Sequence, residues 1–344
     1  MDNLKSQKVN FRWDVYGAHE TLAYLAGIKL RDFFLSPFTC AKCFHLGREK
    51  MWKIFGEEVE VEVRVPNISY GHLSCLGVKV SFPEDSAPSV RPVYLSIDEG
   101  IQFLKRKINF KNDELFKLYF RMYRYLQKEF PKERVSFAGF GWEGPITSAV
   151  LLRGQGFYMD LYDYPEKVKE FLWLLTNSII KFIHFYRRII GEVEISPTGA
   201  SLADDFSSLI SPVLWPEFVV PYWEQLYKET TTGSRSVHVE GLDSGHLKYL
   251  KNLHISHYDP SVSPKLNPEI IRENIDIPFS WLLVPFEFPR MSKDDVENWV
   301  YKSLNDGTAH IFTLIYPLMC ENDNPEKVRT FIETAKNIKN RSKP

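Results

Sequence analysis

Short apolar segments alternate with amphipathic segments along the last two thirds of the chain, and this repeat restricts the fold more than any other feature. The apolar segments have the length of strands and the amphipathic ones have helical spacing, an order typical of parallel β-α-β units. The strand-like segments are 135–140, 194–196 with 199–203, 236–239, 254–258, 279–284 and 309–315. The helical segments open at Pro165 and Ser244 and span 212–229, 268–274, 293–304 and 325–338.

Six strand-helix units at a spacing of about 30 residues predict a closed (β/α)8 TIM barrel, because that fold takes about 250 residues. The first 130 residues follow another pattern, with a helix expected over 18–30. Period-two alternation over 58–65, followed by 78–82 and 93–95, favours half-exposed antiparallel strands. The prediction is therefore one domain, 1–344, in which about 1–130 include an N-terminal helical and β-hairpin extension that acts as a cap or lid.

The charge balance and the lack of long apolar runs exclude several classes of protein. The 43 basic residues nearly cancel the 44 acidic ones, so the chain lacks the basic excess of a nucleic-acid-binding protein. No apolar run approaches the roughly 20 residues of a membrane span, and residues 1–8 lack the apolar core of a signal peptide. We therefore expect a cytoplasmic protein without a nucleic-acid or membrane partner.

Four cysteines in a chain of this length are expected to be reduced. Cys40 and Cys43 form a Cys-x-x-Cys pair, which is interpreted as packing thiols. A structural zinc site or a redox pair is the alternative.

Three potential metal ligands lie at the predicted ends of two strands. His238 and Glu240 are two residues apart in Ser-Val-His-Val-Glu-Gly, and Cys320 follows the last apolar strand. Imidazole, carboxylate and thiolate are the donors that zinc takes from proteins, and three of them leave a fourth position open for substrate. Spacing alone would favour a surface ion pair and a buried thiol, but strand ends are where a TIM barrel places its chemistry.

Several strings resemble the uroporphyrinogen decarboxylase superfamily, and within it the corrinoid-dependent methyltransferases, such as the O-demethylase and coenzyme M enzymes. Their order and spacing match from about residue 55 to the end. The strings lie at 144–154, 157–168, 203–212, 218–222 and 238–241, the last reading His-Val-Glu-Gly. The resemblance implies a TIM barrel whose site lies at the carboxyl ends of the strands.

The resemblance also separates two branches. Decarboxylases of the superfamily carry an arginine-rich segment that grips the carboxylates of a tetrapyrrole, and residues 38–48 lack it. The methyltransferases bind zinc through a His-x-Cys pair and a distant Cys. His238 and Cys320 match that pattern, while Glu240 replaces the first Cys.

A carboxylate in place of a thiolate leaves zinc a stronger Lewis acid with more affinity for oxygen, which favours O-demethylation. We expect transfer of a methyl group from an O-methyl donor, first of all a methoxylated aromatic compound, to cob(I)alamin on a separate corrinoid protein. The chain has no Asp-x-His-x-x-Gly corrinoid-binding string of its own. The alternatives are a methylcorrinoid:thiol methyltransferase of the coenzyme M type and, further off, a decarboxylase-like lyase or a non-catalytic barrel. A homodimer is left open.

The remaining site predictions are an acid and a set of aromatic residues. The resemblance implies an acidic site residue at Asp205, which with Glu240 is the predicted catalytic pair, and Asp259 is a comparable candidate. An apolar cage for an aryl substrate is predicted from aromatic residues near strand ends: Trp142, Phe206, Tyr258 and Tyr316. For each of these, core packing is the competing interpretation.

Overall fold

A computed structural model describes residues 11–341, so the predicted absence of a signal peptide at 1–8 lies outside the described residues. The model contains parallel strands flanked by helices. The strands are β1 Arg12–Gly17, β2 Gly199–Ala203, β3 Ser234–His238, β4 His257–Asp259, β5 Ser280–Leu282 and β6 His310–Ile315. The helices of the N-terminal part are α1 His19–Ala26, α2 Leu30–Leu35, α3 Pro37–Phe55, α4 Gly71–Cys75, α5 Ile97–Leu104 and α6 Glu114–Glu129. The later helices are α7 Pro145–Arg153, α8 Gly156–Asp163, α9 Pro165–Ile190, α10 Trp215–Phe218, α11 Val220–Thr230, α12 Ser244–Asn252, α13 Pro268–Asn274, α14 Lys293–Asn305 and α15 Asn324–Arg341.

The named strands form two parallel sheets of three strands each, in the orders β1-β6-β5 and β2-β3-β4. A single parallel bridge between Tyr258 and Phe279 joins β4 to the segment that leads into β5. The fold is thus α/β with parallel strands, as the β-α repeat predicted. A closed eight-stranded barrel is not established by this pairing and stays a prediction.

The predicted strand at 135–140 does not form. Its backbone makes one parallel bridge, Ser136 to Arg64, and then turns, because the amide of Phe140 donates to the carbonyl of Phe137 (3.1 Å). A cavity of about 640 Å³ separates this segment from β2. Beyond this cavity, the amide of Gly144 donates a hydrogen bond to the carbonyl of Ala203 (2.6 Å), at the end of β2.

The N-terminal region departs from the expected antiparallel hairpin. Segment 58–65 makes two parallel bridges, Tyr16 with Glu60 and Arg64 with Ser136, so its predicted antiparallel pairing is wrong. An antiparallel bridge occurs further along, between Ser81 and Ser89. The alternation of 58–65 reflected one buried face, which a parallel neighbour satisfies as well as an antiparallel one. The helix expected over 18–30 forms only as α1, because Gly27 adopts a left-handed φ of 68° and ends it, and α2 begins at Leu30.

Helix α9 was predicted from its spacing and forms the centre of the packing. It begins at Pro165, and all the apolar residues that defined its periodicity are buried. Its aromatic side chains contribute to two hydrophobic clusters, one around α3, α6 and β6, the other around α7, α11 and β3. None of the described helices has the length and apolar content that crossing a bilayer requires.

Candidate active site at the carboxyl ends of the strands

The site is built on the parallel register of β2, β3 and β4. Ala203, the last residue of β2, pairs with His238, the last residue of β3, and His238 pairs with Asp259, the last residue of β4. Because parallel strands in register end at the same edge of a sheet, Asp205 directly after β2 is brought close to His238 as well.

The His238 imidazole lies between two carboxylates. Its Nδ1 is 2.9 Å from Oδ2 of Asp259, in a hydrogen bond, and its Nε2 is 3.6 Å from Oδ1 of Asp205. A carboxylate on Nδ1 fixes the orientation and the tautomer of a histidine and leaves Nε2 for a ligand or substrate. Asp259, a weak candidate from sequence, is therefore a positioning residue of the site.

The pKa of His238 reflects this surplus of negative charge. Burial lowers it, but the hydrogen bond and charge of Asp259, with the charges of Asp205 and Glu240, outweigh burial and raise the pKa to about 9. In the metal-free protein, His238 is thus an imidazolium at neutral pH.

Glu240 lies on the turn that follows β3, and its backbone is held by Asp205. The amide of Glu240 donates to Oδ1 of Asp205 (2.9 Å), the same oxygen that faces His238. The next residue, Gly241, has a φ of 74°, a left-handed conformation that favours glycine and lets the chain turn at this point. Two of the residues predicted to be catalytic, Asp205 and Glu240, therefore lie together beside His238.

Asp204, the neighbour of Asp205, is part of the framework. Its carboxylate accepts from the amides of Ile146 (3.3 Å) and Thr147 (2.6 Å) at the start of α7, and from Nε1 of Trp223 (2.7 Å). Burial raises the pKa of Asp204 to about 6, while these hydrogen bonds oppose the rise. A side chain at Gly144 would clash with Asp204, which explains the glycine at the start of the 144–154 string.

Glu143 is a site residue that the sequence interpretation missed. Burial and the charges of Asp205 and Asp204 raise the pKa of its carboxyl to about 8, against the opposing charge of His238. A side-chain hydrogen bond with Ser69 also opposes the rise, and Ser69 has a left-handed φ of 48°, uncommon for a residue other than glycine. The sequence could have indicated Glu143, because it directly follows Trp142, which was predicted to lie near a strand end.

Cys320 is not assembled with the other two predicted zinc ligands. It lies half-buried at the end of the 3-10 turn Pro317–Cys320, where burial and then the charge of Glu321 raise the thiol pKa to about 11. Within residues 11–341, no three side chains of His, Cys, Asp and Glu form a group that could hold a metal ion. His238 and Glu240 fit a zinc site in donor type, and the charge of Glu240 acts on His238; the full ligand set stays a prediction.

Comparison with known proteins identifies the family of this chain. The model of the uroporphyrinogen decarboxylase (URO-D) family matches residues 63–338. The chain belongs to the URO-D family. The resemblance to that superfamily seen in the sequence strings is thereby confirmed. No curated protein matches the sequence significantly.

This URO-D family chain also resembles a solved structure, a methyltransferase from Methanosarcina mazei. The TM-score is 0.71 at 15% sequence identity, with 97% of this chain and 96% of the other covered. The two proteins therefore share their fold over almost their whole length.

The predicted aromatic cage is only partly compatible with the URO-D family fold observed. Tyr258 is fully buried and donates its hydroxyl to the Val239 carbonyl (3.2 Å), so its assignment to a substrate surface is wrong; the strand repeat placed it in the core. Phe206 is half-buried, and its backbone is held by the Thr147 hydroxyl (3.1 Å) and the hydroxyl of Tyr158 (3.3 Å).

The other two aromatic residues of the predicted cage have different neighbours. Trp142 is half-buried and packs edge-on against Tyr186 of α9, with ring centroids 5.5 Å apart. Tyr316 stacks on the exposed ring of Phe286, and burial together with the charges of Glu20 and Glu240 raises its pKa. Tyr316 is therefore the member of the set that the charge of Glu240 reaches.

The Cys-x-x-Cys pair belongs to the core. Cys40 and Cys43 are fully buried one turn apart on α3, and burial raises the pKa of both thiols, that of Cys43 to about 12. A reactive redox pair requires a lowered pKa and access, so packing is the role these thiols have in the structure.

Proposed function

We propose that this URO-D family protein is a zinc-dependent methyltransferase. It transfers a methyl group from an O-methyl donor, with a methoxylated aromatic compound as the first candidate, to cob(I)alamin on a separate corrinoid protein. The observation that supports this best is the His238 imidazole, fixed by Asp259 and faced by Asp205 beside Glu240, at the strand ends. The proposal places the reaction in the cytoplasm, at the mouth of a closed (β/α)8 barrel, with a homodimer left open.

Zinc would be held by His238, Glu240 and Cys320. The charge of Glu240 acts on His238, which supports the first two assignments, and the pairing of Nδ1 with Asp259 is the outer-shell contact that metal-bound histidines usually make. When bound, zinc supplies Lewis acidity that stabilises negative charge on the oxygen leaving the methyl group. Cys320 would need to approach the pair for the set to be complete.

The chain's own carboxylates have separate tasks in this scheme. Asp205 holds the turn that carries Glu240 through the backbone amide, so it positions a ligand and does not replace one. Glu143, whose pKa is raised to about 8, holds a proton near neutral pH. That proton is available to the departing oxygen, which is a general-acid role.

The bond changes balance without a further reactant. The corrinoid of the partner would supply the electron pair for the new bond to the methyl carbon. The electrons of the broken carbon–oxygen bond would remain on the oxygen, which would take the Glu143 proton. An aryl ether suits this reaction better than an alkyl ether, because a phenol has a pKa of about 10 and phenolate is therefore the better leaving group. The half-buried rings of Phe206 and Tyr316 supply apolar surface for such a ring.

A partner that carries the corrinoid needs a surface on which to dock. Large apolar side chains are exposed on the segments that follow β2, β4 and β5, around the same strand ends: Leu209, Val213, Val262 and Phe286. Exposed large apolar side chains at one end of the strands favour a protein-binding surface there. They support docking over the candidate site.

The proposal is tested by metal content and by methyl transfer. Purified protein should contain zinc, and demetallation followed by zinc addition should restore activity. Co(I) corrinoid protein should be converted to methyl-Co(III) with at least one member of a panel of methoxybenzoates, methanol and methylamines. If no aryl ether gives methyl-Co(III), the choice of donor is wrong. Transfer only from methylcorrinoid to a thiol would establish the reverse reaction. A zinc-free protein in which His238→Ala changes nothing would refute the methyltransferase.

A further inference from the structure

A second surface feature lies on the outer side of α9 and has no role in the proposed chemistry. It is a groove of about 900 Å³ between α9 and the segment 104–111, which we call the basic groove. Trp173 and five cationic residues line it: Arg106, Lys107, Lys111, Lys181 and Arg188. Within the described residues 11–341, no Asp or Glu lines the groove. The chain as a whole has a net charge of −1, so this concentration of positive charge is local.

Most of this positive charge is uncompensated. Arg188 pairs with Glu194 (3.1 Å), but Lys107, Lys111 and Lys181 form no ion pair within the part of the chain that the structure describes. Just outside the groove, Lys105 pairs with Glu170 (2.7 Å). The groove therefore differs from the adjoining surface in lacking carboxylates, and its cations attract negative charge from outside the chain.

The dimensions of the groove limit what can occupy it. Its wall on α9 extends from Trp173 to Arg188, and 15 residues of helix correspond to about 22 Å. Buried side chains, among them Phe110 and Phe185, form the floor. A volume of about 900 Å³ over that length leaves a channel about as wide as one extended polypeptide. Seven extended residues, at about 3.3 Å each, would fill it.

We propose that the basic groove binds an acidic, extended segment of a partner protein. The cations pair with Asp and Glu side chains of the segment. The amide groups of Asn109 and Asn177 offer hydrogen bonds to its backbone, and Trp173, 55% exposed, receives one apolar side chain. This interaction is independent of zinc and of the methyl transfer proposed above.

Other anions fit the groove less well. A single nucleotide is too short to reach cations distributed over about 22 Å. Single-stranded nucleic acid binds through successive aromatic platforms, and Trp173 is the one exposed aromatic residue among the described residues that line the groove.

Fluorescence anisotropy of the full chain with a labelled peptide, Glu-Asp-Glu-Leu-Glu-Asp-Glu, tests the proposal. We expect saturable binding that weakens steeply as salt is raised. Lys107→Glu combined with Lys181→Glu should weaken it at least about tenfold, since two favourable contacts become repulsive. Lys42→Glu, the same change on the exposed side of α3, is the matched control and should bind as the parent protein does. Circular dichroism checks that each variant is folded.

Three outcomes would overturn the proposal. They are the absence of saturable binding, equal affinity of the double variant and the Lys42→Glu control, and tighter binding of an oligothymidylate of seven nucleotides than of the peptide. Zinc content and methyl transfer should be unchanged in the double variant, so failure here and failure of the proposed function are distinguishable.

Discussion

Two histidine–carboxylate networks lie at opposite strand ends, one at the carboxyl ends of β2, β3 and β4 and the other toward the amino ends of β1, β5 and β6, and they differ in what surrounds them. At the carboxyl ends, His238 is partly exposed and is faced by Asp259 and Asp205. At the amino ends, the buried His310 has Nε2 2.8 Å from Asp14 and Nδ1 2.9 Å from the hydroxyl of Ser280. The second network is closed, because Nδ1 of His310 is hydrogen-bonded to Ser280 and Nε2 faces Asp14 in an ion-pair contact whose geometry is not that of a hydrogen bond.

The two ends also perturb their histidines in opposite directions. His257, which contacts Ser280 (2.8 Å) at the amino end, has its pKa lowered by burial and by the charge of His310. The pKa of His238 is raised to about 9 because the carboxylates outweigh burial. For Asp14, burial raises the pKa, but the close contact and charge of His310 more than offset this, so the pKa lies below its usual value. The open, charge-rich end is therefore the one that fits the proposed chemistry, and we expect the closed end to contribute to stability.

The largest effect is expected at His238. His238→Ala should lower the rate of methyl transfer by about 100-fold or more, because the proposed metal ligand is lost. Its unfolding free energy should change little at pH 9.5, where the stability linked to the raised pKa of His238 is already lost. Single-turnover assays and urea unfolding measure the two quantities. A strongly destabilised variant with normal specific activity would contradict the assignment of roles.

His310→Ala should have the opposite profile. Asp14 is half-buried and keeps its contacts with the Tyr16 hydroxyl (3.1 Å) and Arg12 (3.5 Å), so loss of the charged His310 contact should cost about 2 kcal/mol of unfolding free energy. Ser280→Ala should cost less, about 1 kcal/mol, since it removes a neutral hydrogen-bonding hydroxyl. Urea unfolding of the two variants gives the comparison, and the reverse order of the two costs would show that the closed network is misassigned.

Glu143 gives a pH-dependent test of the open end. Because its pKa is about 8 in the folded chain against 4.5 as its ordinary value, the folded protein keeps a proton that the unfolded chain releases. Stability contributed by this group is therefore lost as pH rises from about 4.5 to 8. Glu143→Gln should raise the Tm at pH 8 by about 2 °C and leave it unchanged at pH 4. An equal change at both pH values would indicate altered packing.

Asp259→Asn tests which carboxylate raises the pKa of His238. Without that charge, the pKa of His238 in the metal-free protein should fall by about 1 to 3 pH units, which NMR titration of the imidazole measures directly. The raised pKa contributes stability that is fully present below about 6.5 and lost as pH rises through about 9. The variant should therefore lose stability relative to the parent at pH 6 and match it above pH 9.5. An unmoved titration would mean that Asp205 and Glu240 maintain the pKa alone.

Local spacing predicted the helices well, because their burial follows directly from periodicity. The expected start at Pro165 and the bounds 268–274 match α9 and α13. The segment 212–229 is helical but divided into a 3-10 turn, α10 and α11, since prolines at 212, 216 and 221 lack the amide that a continuous helix needs. Strand pairing depends on neighbours distant in the chain. The antiparallel pairing predicted for 58–65 and the strand predicted for 135–140 were therefore wrong.

The sequence alone determined the order of strands and helices from α9 onward, the family, and the residue types His238, Glu240 and Asp205 at strand ends. Only the tertiary structure decided which groups meet. In the folded chain, Asp259 is hydrogen-bonded to Nδ1 of His238, and Asp204 holds the start of α7. The charges of Asp204 and Asp205 raise the pKa of Glu143, and Tyr258 is buried. The physical reason is that burial and charge–charge coupling arise between side chains on different strands, and neither can be read from the spacing within one strand.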